Sequence, residues 1–514
     1  MVPAGSTLAD IVSSAILGGV TIVQLREKTM STQAFLTTAR AVHQVTQRHN
    51  VPLLINDRID VALAVDAEGV HIGQDDMPLA TARRLLGPDK IIGVSVGSPD
   101  EAREAIEASA DYLGIGPCFD TKTKSVRRDE LTGPRGVRAI WEAALQAEGP
   151  VPARAVAIGG IGPSNAAHVL GYSRSMVLPG TQARALDGLA VVSAIMAAAS
   201  PRAAAAQLAG QIRHAADVAW PALLRDPGSS SAEIVSAIAD VFSSVRAPGA
   251  ARPLVQHITN MVVINDSANA CLALGGSPIM ESLAADQQHL VPLASSLLVN
   301  IGTLDLAAMA GMRAAMRAAG EHHRPVVLDP VAVGATPTRR ALVAELLEHH
   351  GACVVKANAG EVAALLGSAE VPMNGVDSVG GGFADPAAAV RRLSAMHRCV
   401  VAMTGRVDYV SNCAATVAVR NGHALQAEIT GAGCMAGTAV AVFVGAARAN
   451  PLLGALAGIV AINLAAEHAA RRPDVHGPGS FRQALFDEMH ALTRQHILDE
   501  AAIELVPGPN AVPL

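Results

Sequence analysis

The stretch EITGAGCMAGTAVAVF (428–443) sets a glycine-rich turn and Cys434 ahead of a small, apolar helical run. The first N–H groups of a helix lack intrahelical partners, and the helix dipole adds positive potential there, so the turn suits an anion. Gly431 and Gly433 allow close backbone approach. A thiol at such a helix start is expected to have a lowered pKa and to act as base or nucleophile. The same residues also describe a small buried cysteine packed on a strand. Upstream lie VLDP (327–330), KANAGE (356–361) and MTG (403–405). Asp329 and Glu361 are candidates to hold Mg²⁺ through water, Thr404 and Gly405 to meet a nucleotide phosphate, and the N–H groups of 431–434 to steady a transferring phosphoryl group. Read blandly, these are four strand–loop junctions of an ordinary α/β fold.

The first half carries a second constellation. Asp57 and Asp76, with Asp75 beside the latter, are the hard oxygen donors that Mg²⁺ takes together with substrate phosphates. Arg26, Lys28 and Lys124 suit phosphate oxygens. Thr121, Thr123, Ser193 and the Gly159-Gly160 turn add hydroxyl and backbone donors. Each alone reads as a strand end; together, on successive strand ends, they read as a diphosphate–Mg²⁺ site.

The elements that must position these groups alternate. TIVQLR (21–26), PLLIND (52–57), GVHIG (69–73), IIGVSV (91–96), YLGIG (112–116), ARAVAIGGI (153–161) and LAVVSAI (189–195) read as strands between helical segments. That order predicts βα units and a parallel sheet, with polar residues at strand carboxyl ends as in a (β/α)8 barrel. Only seven strands are legible, and the segment before TIVQLR reads as one helix. The expectation is a TIM-type barrel lacking its first strand, with a start site placed too late in the sequence. From 254 onward SLLVNIG, PVVLDPV, CVVKAN, CVVAMTG and DYVSN predict a doubly wound sheet, and ATVAVRNGHALQAEI (415–429) a hairpin turning at Asn421-Gly422. The predicted boundaries are 1–200 for the barrel, 201–250 for a helical connector and linker, and 251–514 for the second domain.

Composition narrows the function. Of 514 residues, half are apolar and only 2% aromatic; with a net charge of −6 and no basic run, nucleic acid is excluded as a partner. Six scattered cysteines without a CxxC pair argue for a reducing compartment, the cytoplasm, and against structural zinc. The apolar run 436–470 is broken by Arg448, Asn450 and Pro451, so it reads as two buried core helices rather than a membrane span.

The motifs QLREK, IND, HIGQDD, GVSVGS, DYLGIGPCFDTKTK, IGGI and VVSAI, in this order over about 20–197, resemble thiamine-phosphate synthase. The resemblance implies a barrel joining a pyrimidine diphosphate to a thiazole phosphate. It places Gln24, Arg26, Lys28 and Asn56 on the pyrimidine diphosphate, with Ser95 and Lys124. Asp57 and Asp76 would bind Mg²⁺, and Thr121, Thr123, Gly160, Val192 and Ser193 the thiazole phosphate. Two departures stand out: the family's first strand ending in Thr-Asp is not seen, and the loop 171–188 is long.

From about 250 to 505, PLVQHITN, NDSANACLALGGSPIM, NIGTL, LDPVAVGAT, GVDS, TGAGC and GPGSF resemble hydroxyethylthiazole kinase, within the ribokinase-like class. This implies phosphorylation of a thiazole alcohol by ATP and Mg²⁺. Met280 and Gly431 would contact the thiazole, Lys356 and Thr404 the ATP, and Cys434 would stand where related kinases place an aspartate base. The family's Arg-Gly-Asn is Lys356-Ala357-Asn358 here, and its Asn-Phe-Thr-Ala-Asn is Asn265-Asp266-Ser267-Ala268-Asn269. Both resemblances point to thiamine biosynthesis by a fusion of the order found in fungi. They imply small-molecule substrates and a homo-oligomer, trimer-based or hexameric. Two alternatives stay open: a barrel half that only supports the kinase, and a kinase for another small alcohol such as a pyrimidine.

Overall fold

The computed structural model describes residues 7–121, 127, 130–149, 152–174, 184–214, 230–247, 249, 251–371, 373–374, 377–378 and 382–507. The chain divides into two compact units, residues 1–219 and 220–514.

In the first unit seven strands form one parallel sheet in sequence order. They are β1 (Val23–Leu25), β2 (Leu53–Asn56), β3 (Gly69–Ile72), β4 (Ile91–Val96), β5 (Tyr112–Ile115), β6 (Ala155–Ile158) and β7 (Gly188–Ala190). Helices follow the strands and close the core over residues such as Phe35, Leu53, Ile92, Leu113 and Trp141. All seven strand readings locate real strands, with one correction at the end. LAVVSAI is strand only through Ala190; Ser193–Met196 is a short helix whose N-cap is Val192. The ladder to β6 ends at Ile158↔Ala190. Beyond it the backbone N–H groups of Ile195 and Met196 turn back to the Val192 carbonyl, so hydrogen bonding overrides the β-propensity of the valines.

The sequence between the two cores is shared out. The helix Pro201–His214 sends Ala205 and Leu208 into the first core, whereas Ser231–Arg246 sends Ile234, Ile238 and Phe242 into the second.

The second unit is a nine-stranded sheet. Its strands are β8 (Leu254–Ile258), β9 (Ser277–Ile279), β10 (Ser296–Asn300), β11 (Val326–Asp329), β12 (Val354–Asn358), β15 (Val400–Thr404), β16 (Asp408–Ser411), β17 (Thr416–Val419) and β18 (Ile503–Leu505); β13 (Met373–Asn374) and β14 (Asp377–Ser378) pair separately. The order is β18-β17-β16-β15-β12-β11-β10-β8-β9, parallel from β9 to β15 and antiparallel beyond. Alternation along the strands builds both faces. Leu298, Val327, Val354 and Val400 enter one core; their neighbours Leu297, Leu328, Val355 and Val401 enter the other. Strands buried on both faces read as continuous apolar runs.

The hairpin expected over 415–429 is absent. β17 pairs instead with β16 and with the sequence-distant β18, and Ala424–Glu428 is a 3₁₀ helix. Asn421 and Gly422 are taken up by Glu467 at 3.2 and 2.8 Å and by the Glu500 carbonyl at 3.0 Å, so the turn serves tertiary contacts rather than a two-strand loop.

The apolar run does form two helices, Ala432–Ala446 and Pro451–Arg471. The second has the length and hydropathy to cross a membrane, yet 83% of its most apolar window is buried in the unit. The pair packs backbone against backbone: a Cβ on Gly458 would lie 2.6 Å from the Val440 Cα. Gly458→Ala should therefore destabilise the second unit. Overpacking costs about 1–3 kcal/mol, more than the ~1 kcal/mol alanine gains in helix propensity. Denaturant unfolding checks the sign, and an unshifted midpoint would show that the helices can part.

Candidate active sites

In the first unit the strand ends converge on Lys28. Its ammonium bonds the Asp57 carboxylate and lies 4.0 Å from Asp76 Oδ1. Asp57 follows β2 in a left-handed conformation, φ 55°, and the backbone N–H of Gly73 fixes Asp76 Oδ2 at 2.7 Å. Two carboxylates thus face one positive charge, the donor arrangement that suits a divalent cation. Arg26 is exposed, and Asn56 ends β2, 9% exposed.

Inside the sheet a second layer supports this rim. His71 Nε2 meets Ser95 Oγ at 2.8 Å and its Nδ1 meets the Tyr112 hydroxyl at 2.8 Å. Gln24 on β1 also hydrogen-bonds the Tyr112 hydroxyl. Burial holds His71 down at about 4, with Asp76 opposing, so the imidazole is neutral at pH 7. Burial likewise pushes the Tyr112 phenol above its ordinary range. Glycines make the space: a Cβ on Gly93 would lie 2.2 Å from the Tyr112 ring, and one on Gly114 would lie 2.9 Å from His71. His71 and Tyr112 sat inside the quoted motifs without being singled out. Their signal was the glycine paired with each, since Gly93 is the ladder partner of both.

The turn after β6 brings the remaining donors together. Gly159 and Gly160 have φ 98° and 65°, and a Cβ on Gly160 would strike the Asp120 carbonyl at 2.6 Å, so the loop carrying Thr121 lies directly on this turn. A Cβ on Gly162 would lie 4.0 Å from the Ala194 Cβ, in the short helix that Ser193 opens after Val192. Thr123 and Lys124 lie outside the described residues.

In the second unit the strand ends and the glycine turn meet around a buried ammonium. Lys356 Nζ pairs with Asp329 Oδ1 at 2.8 Å; the two side chains are 5% and 0% exposed. Burial opposes the lysine's charge, but Asp329, Glu361 and Cys434 outweigh it and hold Lys356 above its ordinary range. Burial pushes Asp329 up, against the pull of Lys356 and Asn300. Burial raises Glu361 to about 7. Glu361 has both oxygens engaged, Oε2 by the Asn358 N–H at 2.8 Å as a capping box and Oε1 by the Ala332 N–H at 2.9 Å. Asp329 and Glu361 are therefore brought together around Lys356, each carboxylate oxygen already holding one partner.

Gly431 caps Ala432–Ala446 at φ 90°, where a Cβ would strike Val263 at 2.4 Å. Cys434 sits in the first turn of this helix, and a Cβ on Gly433 would lie 3.6 Å from Lys356 Nζ. The lowered thiol pKa expected from the helix start is overturned. Burial, then Asp329, push Cys434 up to about 11, and Lys356, Asn300 and Asn260 only partly oppose them. Thr404 ends β15, and the Gly405 N–H after it is fixed by Asp408 at 2.8 Å. Met280 follows β9, half-buried.

One chain thus carries a parallel βα sheet of the barrel type with a lysine and two aspartates at its strand ends, and an α/β unit with a buried lysine beneath a glycine turn. Residues 2–195 match the thiamine monophosphate synthase family, and residues 246–495 the hydroxyethylthiazole kinase family. The probable thiamine biosynthetic bifunctional enzyme of Schizosaccharomyces pombe is 37% identical over 97% of this chain and 94% of its own length. The thiamine biosynthetic bifunctional enzyme of Saccharomyces cerevisiae is 35% identical over 96% and 94%. A solved hydroxyethylthiazole kinase from Pyrococcus horikoshii is 37% identical, covers 52% of this chain and 99% of its own, and has a TM-score of 0.47. The chain belongs to the family of bifunctional thiamine biosynthetic enzymes, with a synthase and a kinase activity.

The raised thiol has a direct readout. Below about pH 11 Cys434 stays protonated, so its alkylation by iodoacetamide should be slow at pH 7–8 and climb through pH 10. Mass spectrometry of the peptide containing Cys434 measures it; fast labelling at neutral pH would contradict the burial effect.

Proposed function

We propose that the two sites carry out consecutive steps, and that the residues named above do so as follows. In the kinase unit the hydroxyl of 4-methyl-5-(2-hydroxyethyl)thiazole attacks the γ-phosphorus of ATP, and ADP leaves. Met280 and Gly431 hold the thiazole, Thr404 meets the nucleotide phosphates, and Lys356 with the N–H groups of 432–434 balances the charge on the phosphoryl group. Asp329 and Glu361 would hold Mg²⁺ through water, and the ion when bound would neutralise charge on the nucleotide phosphates. The observation that carries this reading is the Lys356 ammonium, buried yet charged beneath the glycine turn.

Cys434 meets the substrate hydroxyl as a protonated thiol and does not take its proton, which passes to an oxygen of the transferred phosphoryl group. Most of the rate then comes from positioning, so Cys434→Ala should lower kinase kcat by roughly tenfold and leave measurable turnover. An unchanged kcat would remove the cysteine from the reaction.

In the barrel the C–O bond between the pyrimidine methylene and its diphosphate breaks, and the thiazole nitrogen forms the new C–N bond. Thiamine phosphate and diphosphate are the products. Asp57 and Asp76 fit Mg²⁺, which neutralises the departing diphosphate when bound. Lys28, Arg26, Asn56, Ser95 and Lys124 hold the diphosphate, with Gln24 on the pyrimidine side. Thr121, Thr123, Gly160, Val192 and Ser193 receive the thiazole phosphate. No general base is needed at a centre whose task is charge neutralisation.

Supplying the thiazole alcohol, ATP, Mg²⁺ and the pyrimidine diphosphate to one preparation tests both halves. Thiamine phosphate should form, and Lys28→Ala should cut its rate about 100-fold while thiazole phosphate still accumulates. Thiazole phosphate alone from the parent protein would make the barrel a supporting half.

The six cysteines are all free, consistent with work in the cytoplasm. We further expect a homo-oligomer built on a kinase trimer. Met261, Val262 and Leu306 are 75%, 64% and 85% exposed, the first two beside the glycine turn's neighbour Val263. A monomer mass by light scattering would refute this.

A further inference from the structure

Two motifs of the kinase unit remain without a task, HITN (257–260) and NIGTL (300–304). Their asparagines meet beside Cys434. Asn300 ends β10 and Asn260 lies just past β8, and both are buried. Asn300 Oδ1 accepts from Asn260 Nδ2 at 2.9 Å and from the Gly302 N–H at 3.0 Å. Asn300 Nδ2 donates to Asp329 Oδ2 at 2.7 Å and to Cys434 Sγ at 3.2 Å. Asn260 Oδ1 accepts from the Val262 N–H at 3.1 Å, and its Nδ2 also reaches Cys434 Sγ at 3.5 Å.

This network fixes which end of each amide carries the nitrogen. Turning Asn300 over would set its carbonyl against the Asp329 carboxylate and its NH₂ against the Gly302 N–H. The slot is cut for the pair: a Cβ on Gly302 would lie 2.6 Å from Asn260 Nδ2. An amide pair whose nitrogens and oxygens are all engaged has one arrangement, and loses it when one member is removed.

We propose that the Asn260–Asn300 amide pair is the positioning device of the kinase centre: it aims the Cys434 sulfur and ties it to the carboxylate that holds Lys356. With two amide N–H groups donating to it, the sulfur keeps its own hydrogen for the side away from the pair. Leucine at either position would supply no donor, and aspartate at 300 would set a second carboxylate against Asp329. The proposal rests on the reading that Cys434 lies beside the substrate hydroxyl.

A double-mutant cycle on the full-length protein tests it, with kinase kcat and KM for the thiazole alcohol as readouts. Asn300→Ala should lower kcat about tenfold in the parent with KM moved less than about twofold, and cost under about threefold in the Cys434→Ala background. Asn260→Ala, which leaves the Asn300–Asp329 contact in place, should show the same dependence in smaller measure. Equal losses in both backgrounds would overturn the proposal while leaving the reading of Cys434 intact. An unaltered kcat in Cys434→Ala alone would overturn that reading, and the proposal with it.

Where Asn300→Ala fails to fold, the iodoacetamide rate of Cys434 at fixed pH in Asn260→Ser decides. Donors removed from the sulfur favour its protonated form, so labelling should slow several-fold. A purely structural amide, once removed, would loosen the turn and speed labelling, and that result would overturn the proposal.

Discussion

One buried charge organises the kinase half. A lysine ammonium removed from water costs several kcal/mol unless it is paired and hydrogen-bonded, and Lys356 is paired at 2.8 Å with a fully buried aspartate. The surrounding sequence serves that pairing. Asn300 holds the other Asp329 oxygen, Glu361 stands close enough to raise the lysine further, and Gly437 admits Asp329 where a Cβ would lie 3.0 Å from its Oδ2. One ammonium cannot balance three anions. Burial settles the allocation by keeping the Cys434 thiol protonated and lifting Glu361 to about 7. The negative charge around Lys356 is thereby held down.

The barrel solves a related problem with neutral groups. Its interior layer is a neutral imidazole joining a serine to a phenol, reached by a glutamine. These groups hold fixed hydrogen bonds without adding charge beneath the rim, where Lys28 and the two aspartates do the electrostatic work. Neutral donors and acceptors beneath the rim leave Lys28, Asp57 and Asp76 as its charged groups.

Much of this was legible in the sequence, and the failures have physical causes. Strands buried on both faces announce themselves as apolar runs, which is why β10, β11, β12 and β15 were found. Short edge strands such as β9 and β18 carry no such run. The Asn421-Gly422 turn is a correct local signal, but its amide and backbone are claimed by Glu467 and Glu500, residues that only the fold brings near. The thiol departs from its local signal for a similar reason. A helix start argues for a lowered value, but burial and an aspartate more than a hundred residues away decide it. The site residues on strand ends were visible as polar breaks, whereas His71, Tyr112, Asn260 and Asn300 look like strand interior or loop until their partners are in place.

The helix Ser231–Arg246 lies against the last helices of its own unit. Arg246 donates to the Met489 carbonyl at 3.0 Å, and Arg494 reaches Asp240 at 2.8 Å. The path into this unit and the path out of its helical layer therefore run side by side. A module with neighbouring entry and exit can be spliced to another gene product without stretching its own framework. Modularity of that kind makes two successive catalysts on one polypeptide a matter of joining rather than redesign.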